Sequence, residues 1–401
     1  MTDFAAGGGR APLDPETAVA ERYAAAAEAR EEALCCPVEY DPRYLEVIPE
    51  EVLERDYGCG DPSAWLRPGE RVLDLGSGGG KICFIASQVV GRKGRVIGVD
   101  MNRAMLELAR RAAPVVASRI GYANVEFHEG RIQDLAFDPV ATAEYLATHP
   151  VRDASDAVAF EVWSKKQRLE RPLIPDESVD VVVSNCVLNL VAPEDKPRLF
   201  AEIYRVTAST GRVVISDIVS DEDVPIELQQ DPELWSGCVS GALREDHFVE
   251  AFAEAGFHGV QILRRDERPW RTVGGIEFRA MTVEAFKGKE GPCLERRQAV
   301  IYRGPFREVV DDDGHRIRRG VRHAVCDKTF HLFRREPYRS HFDFVEPLVP
   351  VPLESAPPFD CGRRAVRDSR ETKGSDYRAT TDPESGCCGP SSGASCAAQS
   401  D

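Results

Sequence analysis

Three cysteines stand in settings that favour chemistry over packing. Cys59 lies between two glycines in DYGCGDP, Cys186 follows the apolar run VDVVV in SNCVLNL, and Cys238 sits among small residues in LWSGCVSGAL. Free cysteine is commonly buried as a small hydrophobe, so each of the three read alone is core filling. Three with glycine or small neighbours fit that reading poorly, and Cys186 falls just past the carboxyl end of an apolar strand, where open α/β sheets bind their ligands. A second group is rich in glycine. In VLDLGSGGGK, residues 72–81, a strand carrying Asp74 runs into Gly76, Gly78 and Gly80 and directly into a helix. Such a turn brings backbone N–H groups close to a ligand at a helix N-terminus. A further strand, RVIGVD, ends in Asp100, followed by Met101. An acidic side chain there accepts hydrogen bonds from both ribose hydroxyls of an adenosine cofactor. Asp134, in GRIQDL, is placed to approach the adenine amine or to cap a helix. Asn185 ends its strand beside the same pocket and can orient either ligand.

These residues need a scaffold, and the pattern from Arg71 onward supplies one. Short apolar strands alternate with helical segments: RVLDL, KICFIASQVV, RVIGVD, NRAMLELARRAA, NVEFH, VDVVVSN, PRLFAEIYRV, GRVVISDIV. That alternation predicts an α/β fold with a doubly wound, Rossmann-like parallel sheet. The expected organisation is an N-terminal helical cover over residues 1–66, the sheet domain over 67–288, a small β-rich domain over 289–362 and a Gly/Ser/Cys-rich tail over 363–401. The tail has too few aliphatic residues to offset the entropy of ordering. A long connection, residues 135–179, interrupts the alternation and reads equally as a lid or as a peripheral decoration.

Composition narrows the function. The chain has 401 residues, 42% of them hydrophobic, enough for a sizeable core in two or three domains. Its formal charge of −16 repels a phosphate backbone or an anionic membrane surface. Neither a nucleic-acid partner nor a membrane is expected, and the start MTDFAAGGGR lacks the basic and apolar segments of a signal peptide, so the expected location is cytoplasmic. Twelve cysteines are far below the density of a disulfide-stapled scaffold, and without paired C-x-x-C knuckles no structural metal is expected. Cys83 reads as helix packing against the sheet. Cys293, Cys326 and Cys361 have no motif context.

The glycine loop departs from the dinucleotide pattern G-x-G-x-x-G. DLGSGGG resembles motif I of the class I S-adenosylmethionine methyltransferases, with Asp100 at the ribose position of that family. The order YGCG, DLGSGGGKxC, VSNCVLNL and WxxCxxGAL then resembles the arsenite methyltransferases, and AVIYRGPF and the Cys-rich end extend the likeness over most of the chain. The resemblance implies S-adenosylmethionine as methyl donor, arsenite or methylarsenite as substrate, and Cys59, Cys186 and Cys238 as As(III) ligands and redox thiols. It implies a further N-terminal cysteine, Cys36 in preference to its neighbour Cys35, and thioredoxin or glutathione as reductant. A monomer is expected. The chemistry suits the residues: trivalent arsenic is soft and prefers thiolates, and three of them leave a lone pair on its open face. Held in line with the methyl sulfonium, that lone pair needs no general base. The insertion over 135–179 departs from the family pattern. Two other readings stay open, a methyltransferase for another soft or small-molecule acceptor and a thiol-rich metalloid-binding protein without catalysis. Cys387, Cys388 and Cys396 of the tail either scavenge arsenite or do nothing.

Overall fold

Five of the apolar runs pair in parallel. In the computed structural model, which describes residues 19, 22–26, 31, 38–362 and 366–373, β1 (Arg71–Leu75), β2 (Arg95–Asp100), β3 (Val125–Glu129), β4 (Val179–Asn185) and β5 (Thr207–Ser220) lie in the order 3-2-1-4-5. β6 (Leu243–Arg244) adds a short parallel pairing to β5. β7 (His258–Arg265), β8 (Arg271–Val273) and β9 (Ile276–Phe286) complete the sheet, with β9 antiparallel to β5 and β7 antiparallel to β9. The chain divides into two compact units, Met1–Gly288 and Lys289–Asp401.

The central strands are near-continuous apolar runs because both their faces are covered. Val72, Val96, Val181, Val183 and Val214 point to one face, where α1 (Lys81–Val90) and α2 (Arg103–Ile120) pack on them. The alternate residues Leu73, Leu75, Val182, Val213 and Ile215 point to the other. The β3–β4 connection carries α3 (Pro139–Thr148) and α4 (Ala154–Glu170), and that second face is covered by α5 (Lys196–Val206) and α6 (Glu245–Glu254). α3 and α4 hold each other by stacking Tyr145 on Trp163, ring centroids 4.1 Å apart.

The strand order reverses between β1 and β4. Their connections leave in opposite directions, which opens a crevice at their carboxyl ends. Leu75 pairs with Ser184 across this point, so the DLGSGGG and SNCVLNL turns face each other. No helix among the described residues is long and apolar enough to cross a membrane.

In the second unit β10 (Ala299–Tyr302) lies between β13 (Arg322–Ala324) and β14 (Phe342–Val345), and β11 (Glu308–Val310) forms a hairpin with β12 (Arg316–Arg318). The DDDGH segment makes that turn, as its composition suggests. Val300, Phe330, Phe333 and Phe342 centre its core, two of them from α7 (Asp327–Phe333).

One buried cation ties the segment just before β1 onto the sheet. Arg212 of β5 is 4% exposed; it pairs with Glu70, with Glu284 at 3.0 Å, and donates to the Trp65 carbonyl at 2.7 Å. Removing one partner of such a group strands the opposite charges in a poorly hydrated place. Arg212→Met is expected to destabilise the protein by about 3–5 kcal/mol, read as a fall in the midpoint of urea unfolding. A midpoint unchanged from wild type would show the pair to be of little consequence.

Candidate active site

The glycine loop is built around two contacts. Gly76 and Ser77 donate their N–H groups to the Val99 carbonyl at 2.8 and 3.1 Å, which binds the loop to the end of β2. Gly76 has φ +69°, and a Cβ there would overlap Val187, so the loop rests directly on the SNCV turn. Gly78, with φ +50°, has open space where a Cβ would stand and donates to Asp100 Oδ2 at 2.8 Å. The other Asp100 oxygen accepts from Asn102 N–H at 2.7 Å. Burial raises the Asp100 pKa above its ordinary value. Burial also pushes Asp74 up to about 7, against the pull of the Cys83 thiol that donates to it at 3.2 Å.

A cavity opens over this loop. Asp74, Gly76, Gly78, Asp100, Met101 and Asn185 line it, as does Cys186. Two residues that the sequence points to for the cofactor do not. Gly80 caps α1 with φ +90°, and a Cβ on it would come within 2.8 Å of the Phe127 ring, so its smallness serves helix-on-strand packing. The Asp134 carboxylate faces away to Arg168 of α4 and Arg198 of α5, the latter at 2.6 Å. Ile132 and Gln133 of the same GRIQDL segment line the cavity in its place. No residue from 135 to 179 lines it, so in this structure the insertion does not act as its lid.

The three cysteines come together beside the cavity. The Sγ atoms of Cys59 and Cys186 and a carboxylate oxygen of Asp217 lie within 4.8 Å of one another. Cys186 also contacts the Cys238 thiol, and Cys238 Sγ donates to the Cys186 carbonyl at 3.1 Å. The result is a buried chain of thiols, Cys59 to Cys186 to Cys238, that ends on the Tyr23 hydroxyl. For Cys186 the Cys238 contact lowers the pKa, but the Cys59 contact and burial oppose it and prevail. For Cys238 the Cys186 contact and burial both raise it. Cys186 and Cys238 therefore hold their protons at rest.

Local sequence explains the convergence. Asn185 Oδ1 accepts from the N–H groups of Cys59 and Gly60 at 3.0 Å each, and its Nδ2 donates to the Gly60 carbonyl at 2.7 Å. A Cβ on Gly58 would overlap that amide, and one on Gly60 would meet Ser216 of β5 at 2.7 Å. The YGCG glycines let the Cys59 backbone lie against the ends of two strands. On the other side Asn189 Nδ2 donates to the carbonyls of Ile218 and Cys238, at 2.6 and 3.2 Å. A Cβ on Gly241 would overlap Asn189, which explains the glycine of WxxCxxGAL. Cys186 and Cys238 both take positive φ, +65° and +60°. Left-handed backbone in a residue with a Cβ costs of order 1–3 kcal/mol and collects at functional sites.

Asn189 and Asp217 were not among the residues that the sequence pointed to. Asp217 is fully buried and pushed up to about 6 by burial, against the Ile218 N–H and the Lys196 cation. Lys196 is in turn pushed down to about 8 by burial, against Asp217. A lone acid just past the core of the β5 strand, in VVISDIV, is the only signal for Asp217. Lys81 closes the arrangement from the cofactor side, pairing with Asp56 at 2.9 Å and lying 3.7 Å from the centre of the Tyr40 ring. Cys35 and Cys36, like Cys387, Cys388 and Cys396, lie outside the described residues.

A mixed sheet with a parallel 3-2-1-4-5 core, a glycine loop after β1, an acid at the end of β2 and a crevice between them define a class I S-adenosylmethionine methyltransferase. The family described as "Methyltransferase domain" matches residues 66–155 and 149–256, and "Domain of unknown function (DUF8838)" matches 289–377. An arsenite methyltransferase of Aquipseudomonas alcaligenes is 32% identical over 78% of this chain and 84% of its own. That of the mouse is 28% identical over 86% of each. The crystal structure of an arsenic(III) S-adenosylmethionine methyltransferase from Chlamydomonas reinhardtii is similar with a TM-score of 0.52 at 29% identity, covering 83% of this chain and all of that one. The chain belongs to the arsenite methyltransferase family.

The cavity suits S-adenosylmethionine. It offers the buried Asp74 and half-buried Asp100 carboxylates to a cationic ligand and contains Ser77 Oγ, which is buried without a hydrogen-bond partner among the described residues. A carboxyl with a raised pKa stays protonated to higher pH, and only its ionised form attracts a cation. S-adenosylmethionine affinity is therefore expected to be flat above about pH 7 and to weaken by up to about tenfold per unit below it, as Asp74 takes a proton. Calorimetric titration from pH 5.5 to 8 tests this, with Asp74→Asn expected to bind weakly and without the slope. An equal slope in that variant would assign the titration to another group.

Proposed function

We propose that this protein transfers a methyl group from S-adenosylmethionine to trivalent arsenic held by Cys59, Cys186 and Cys238. The observation that carries the reading is the contiguous chain of these thiols at the carboxyl end of β4, with Cys186 itself lining the cofactor cavity. Membership of the family supports it.

Arsenous acid can enter a site of protonated thiols without burying net charge. Three S–As bonds form, three As–O bonds break, and each thiol proton leaves with a hydroxyl as water. Thiolate is the ligand type that a soft centre prefers, and the remaining lone pair of arsenic is the nucleophile. Bound S-adenosylmethionine supplies a methyl carbon on a sulfonium, an electrophile whose leaving group is a neutral thioether. Asp74 and Asp100 favour the cationic ligand, and the Gly76–Gly78 turn lets the backbone approach it. Cys186 belongs to both sites, and the three thiolates together set the direction of the arsenic lone pair. Methyl transfer makes an As–C bond and leaves arsenic formally pentavalent. Two electrons from a pair of thiols return it to the trivalent state, and the pair becomes a disulfide. Cys36, placed by the resemblance, with thioredoxin or glutathione as the final reductant, completes this cycle in a cytoplasmic, monomeric enzyme, and methylarsenite is a further substrate.

Cys186→Ser is expected to abolish arsenic methylation, measured by chromatographic speciation after incubation with arsenite, labelled S-adenosylmethionine and a thiol reductant. S-adenosylmethionine should still bind. Methylated arsenicals from the variant at wild-type rates would sink the assignment of Cys186. Arsenite bound by the wild type with no methyl transferred would favour the sequestration reading.

Gly58 and Asn189 test positioning. Gly58→Ala pushes the Asn185 amide off the Cys59 turn, and Asn189→Ala frees the Cys238 carbonyl. A displacement of about 1 Å can cost on the order of 10²-fold in rate. Each variant should lose about that much in kcat, with S-adenosylmethionine affinity within about threefold of wild type for Asn189→Ala. A purely structural role would instead lower the melting temperature and leave the rate of the folded fraction intact.

A further inference from the structure

Cys293, Cys326 and Cys361 look isolated in sequence, and the fold of the second unit brings them together. Their Sγ atoms lie within 4.8 Å of one another. The backbone laces the three segments: Phe359 N–H donates to the Cys293 carbonyl at 2.9 Å, Glu295 N–H to Pro357 at 2.8 Å, and Asp327 N–H to Leu294 at 2.9 Å. Cys326 is buried at the start of α7, where its Sγ accepts from Thr329 N–H at 3.4 Å. Cys293 and Cys361 are half-buried.

Ordinary packing does not account for the cluster. The apolar core of this unit gathers around Val300, Phe330 and Phe342 and includes none of the three cysteines. The donor group contains no imidazole or carboxylate. Two histidines line a cavity shared with Cys326 and Cys361, but neither contributes a ring nitrogen to the cluster. His315 Nδ1 faces Asp311 at 2.8 Å, and His323 Nε2 accepts from Arg318 N–H at 3.1 Å.

We infer that Cys293, Cys326 and Cys361 form a second thiol site, in the C-terminal unit, for a trivalent three-coordinate thiophile of the arsenite type. A structural zinc site uses four ligands, commonly with imidazole or a fourth thiolate, and this group has three. Three thiolates and a lone pair satisfy a pyramidal trivalent centre with no fourth donor. Metal–thiolate bonds of about 2.3 Å place sulfurs within roughly 4 Å of each other, so the observed spread closes with a movement of under about 1 Å. Binding is the same neutral exchange: three S–As bonds replace three As–O bonds, and three waters leave. No oxidant, reductant or methyl donor takes part. The site does not depend on methyl transfer.

The test uses the reduced full-length wild type without S-adenosylmethionine, alkylated by iodoacetamide with and without arsenite and read peptide by peptide by mass spectrometry. The half-buried Cys293 and Cys361 should alkylate over an extended incubation at raised pH, Cys361 the more slowly because burial and the Cys293 contact push it up to about 12, and arsenite should slow both at least about tenfold further. In Cys326→Ser that protection should vanish at both positions while protection at Cys186 persists. Cys361→Ser, at a half-exposed position, serves in its place if Cys326→Ser does not fold by circular dichroism, with protection then lost at Cys293. No protection in the wild type, or full protection in the serine variant, would overturn the inference. So would zinc ions protecting at lower concentration than arsenite, or labelling of these cysteines that appears only after added reductant, which would mark a disulfide. Protection at Cys293 and Cys361 in Cys186→Ser separates this site from the proposed active site.

Discussion

Asn185 and Asn189 flank Cys186 on a single turn, and each commits its amide to a different loop. Asn185 holds the YGCG turn and with it Cys59; Asn189 holds the carbonyl of Cys238. The three thiols come from segments far apart in the chain, so only contacts of this kind can set their spacing. A buried amide left without partners costs about 1–3 kcal/mol, which makes a half-assembled arrangement unfavourable. The glycines at 58, 60 and 241 follow from the same constraint, because a Cβ at each would occupy the space taken by the Asn185 amide, by Ser216 or by the Asn189 backbone carbonyl. The β1–β4 switch point is what places this turn opposite the cofactor loop, with Val187 against Gly76.

The site holds its groups in states that water would not favour. Asp74, Asp100 and Asp217 are all raised by burial, and Cys186 and Cys238 are raised in their company. The protonated Cys186 and Cys238 thiols, and the Lys196 cation that offsets the Asp217 carboxylate, limit the net charge of the ligand-free interior. A cationic cofactor changes the balance on one side of Cys186, and a neutral arsenic hydroxide that exchanges water for thiols leaves it unchanged on the other. Positive φ at Cys186 and Cys238 adds local strain that the surrounding hydrogen bonds must hold.

The parallel sheet was legible because buried strands are continuous apolar runs separated by helical periodicity. The glycine loop and Asp100 were legible because local backbone requirements dictate residue type. Asp134 was not: a carboxylate one residue beyond Gln133 in GRIQDL projects elsewhere, and its two arginine partners come from α4 and α5. Gly80 shares the spelling of the loop but serves Phe127. Asn189 and Asp217 act through long-range contacts that leave no periodic trace. Cys293, Cys326 and Cys361 escaped for the same reason, since only the lacing of residues 293–295, 326–327 and 357–361 makes them neighbours.

Two thiol clusters in one chain have different means. The cluster at Cys186 adjoins a cavity with a glycine loop and two acids, so an arsenic lone pair there can face an electrophile. The cluster at Cys326 stands in a unit whose sequence carries no such loop, and the cavity beside it is lined by His315, His323 and Phe359. Thiol affinity alone retains a soft ion; turnover needs the open face of that ion aimed at a methyl carbon and held there. The second cluster therefore fits retention without turnover. What distinguishes the first is the shared wall, where Cys186 is at once a thiol of the cluster and a wall of the cofactor cavity.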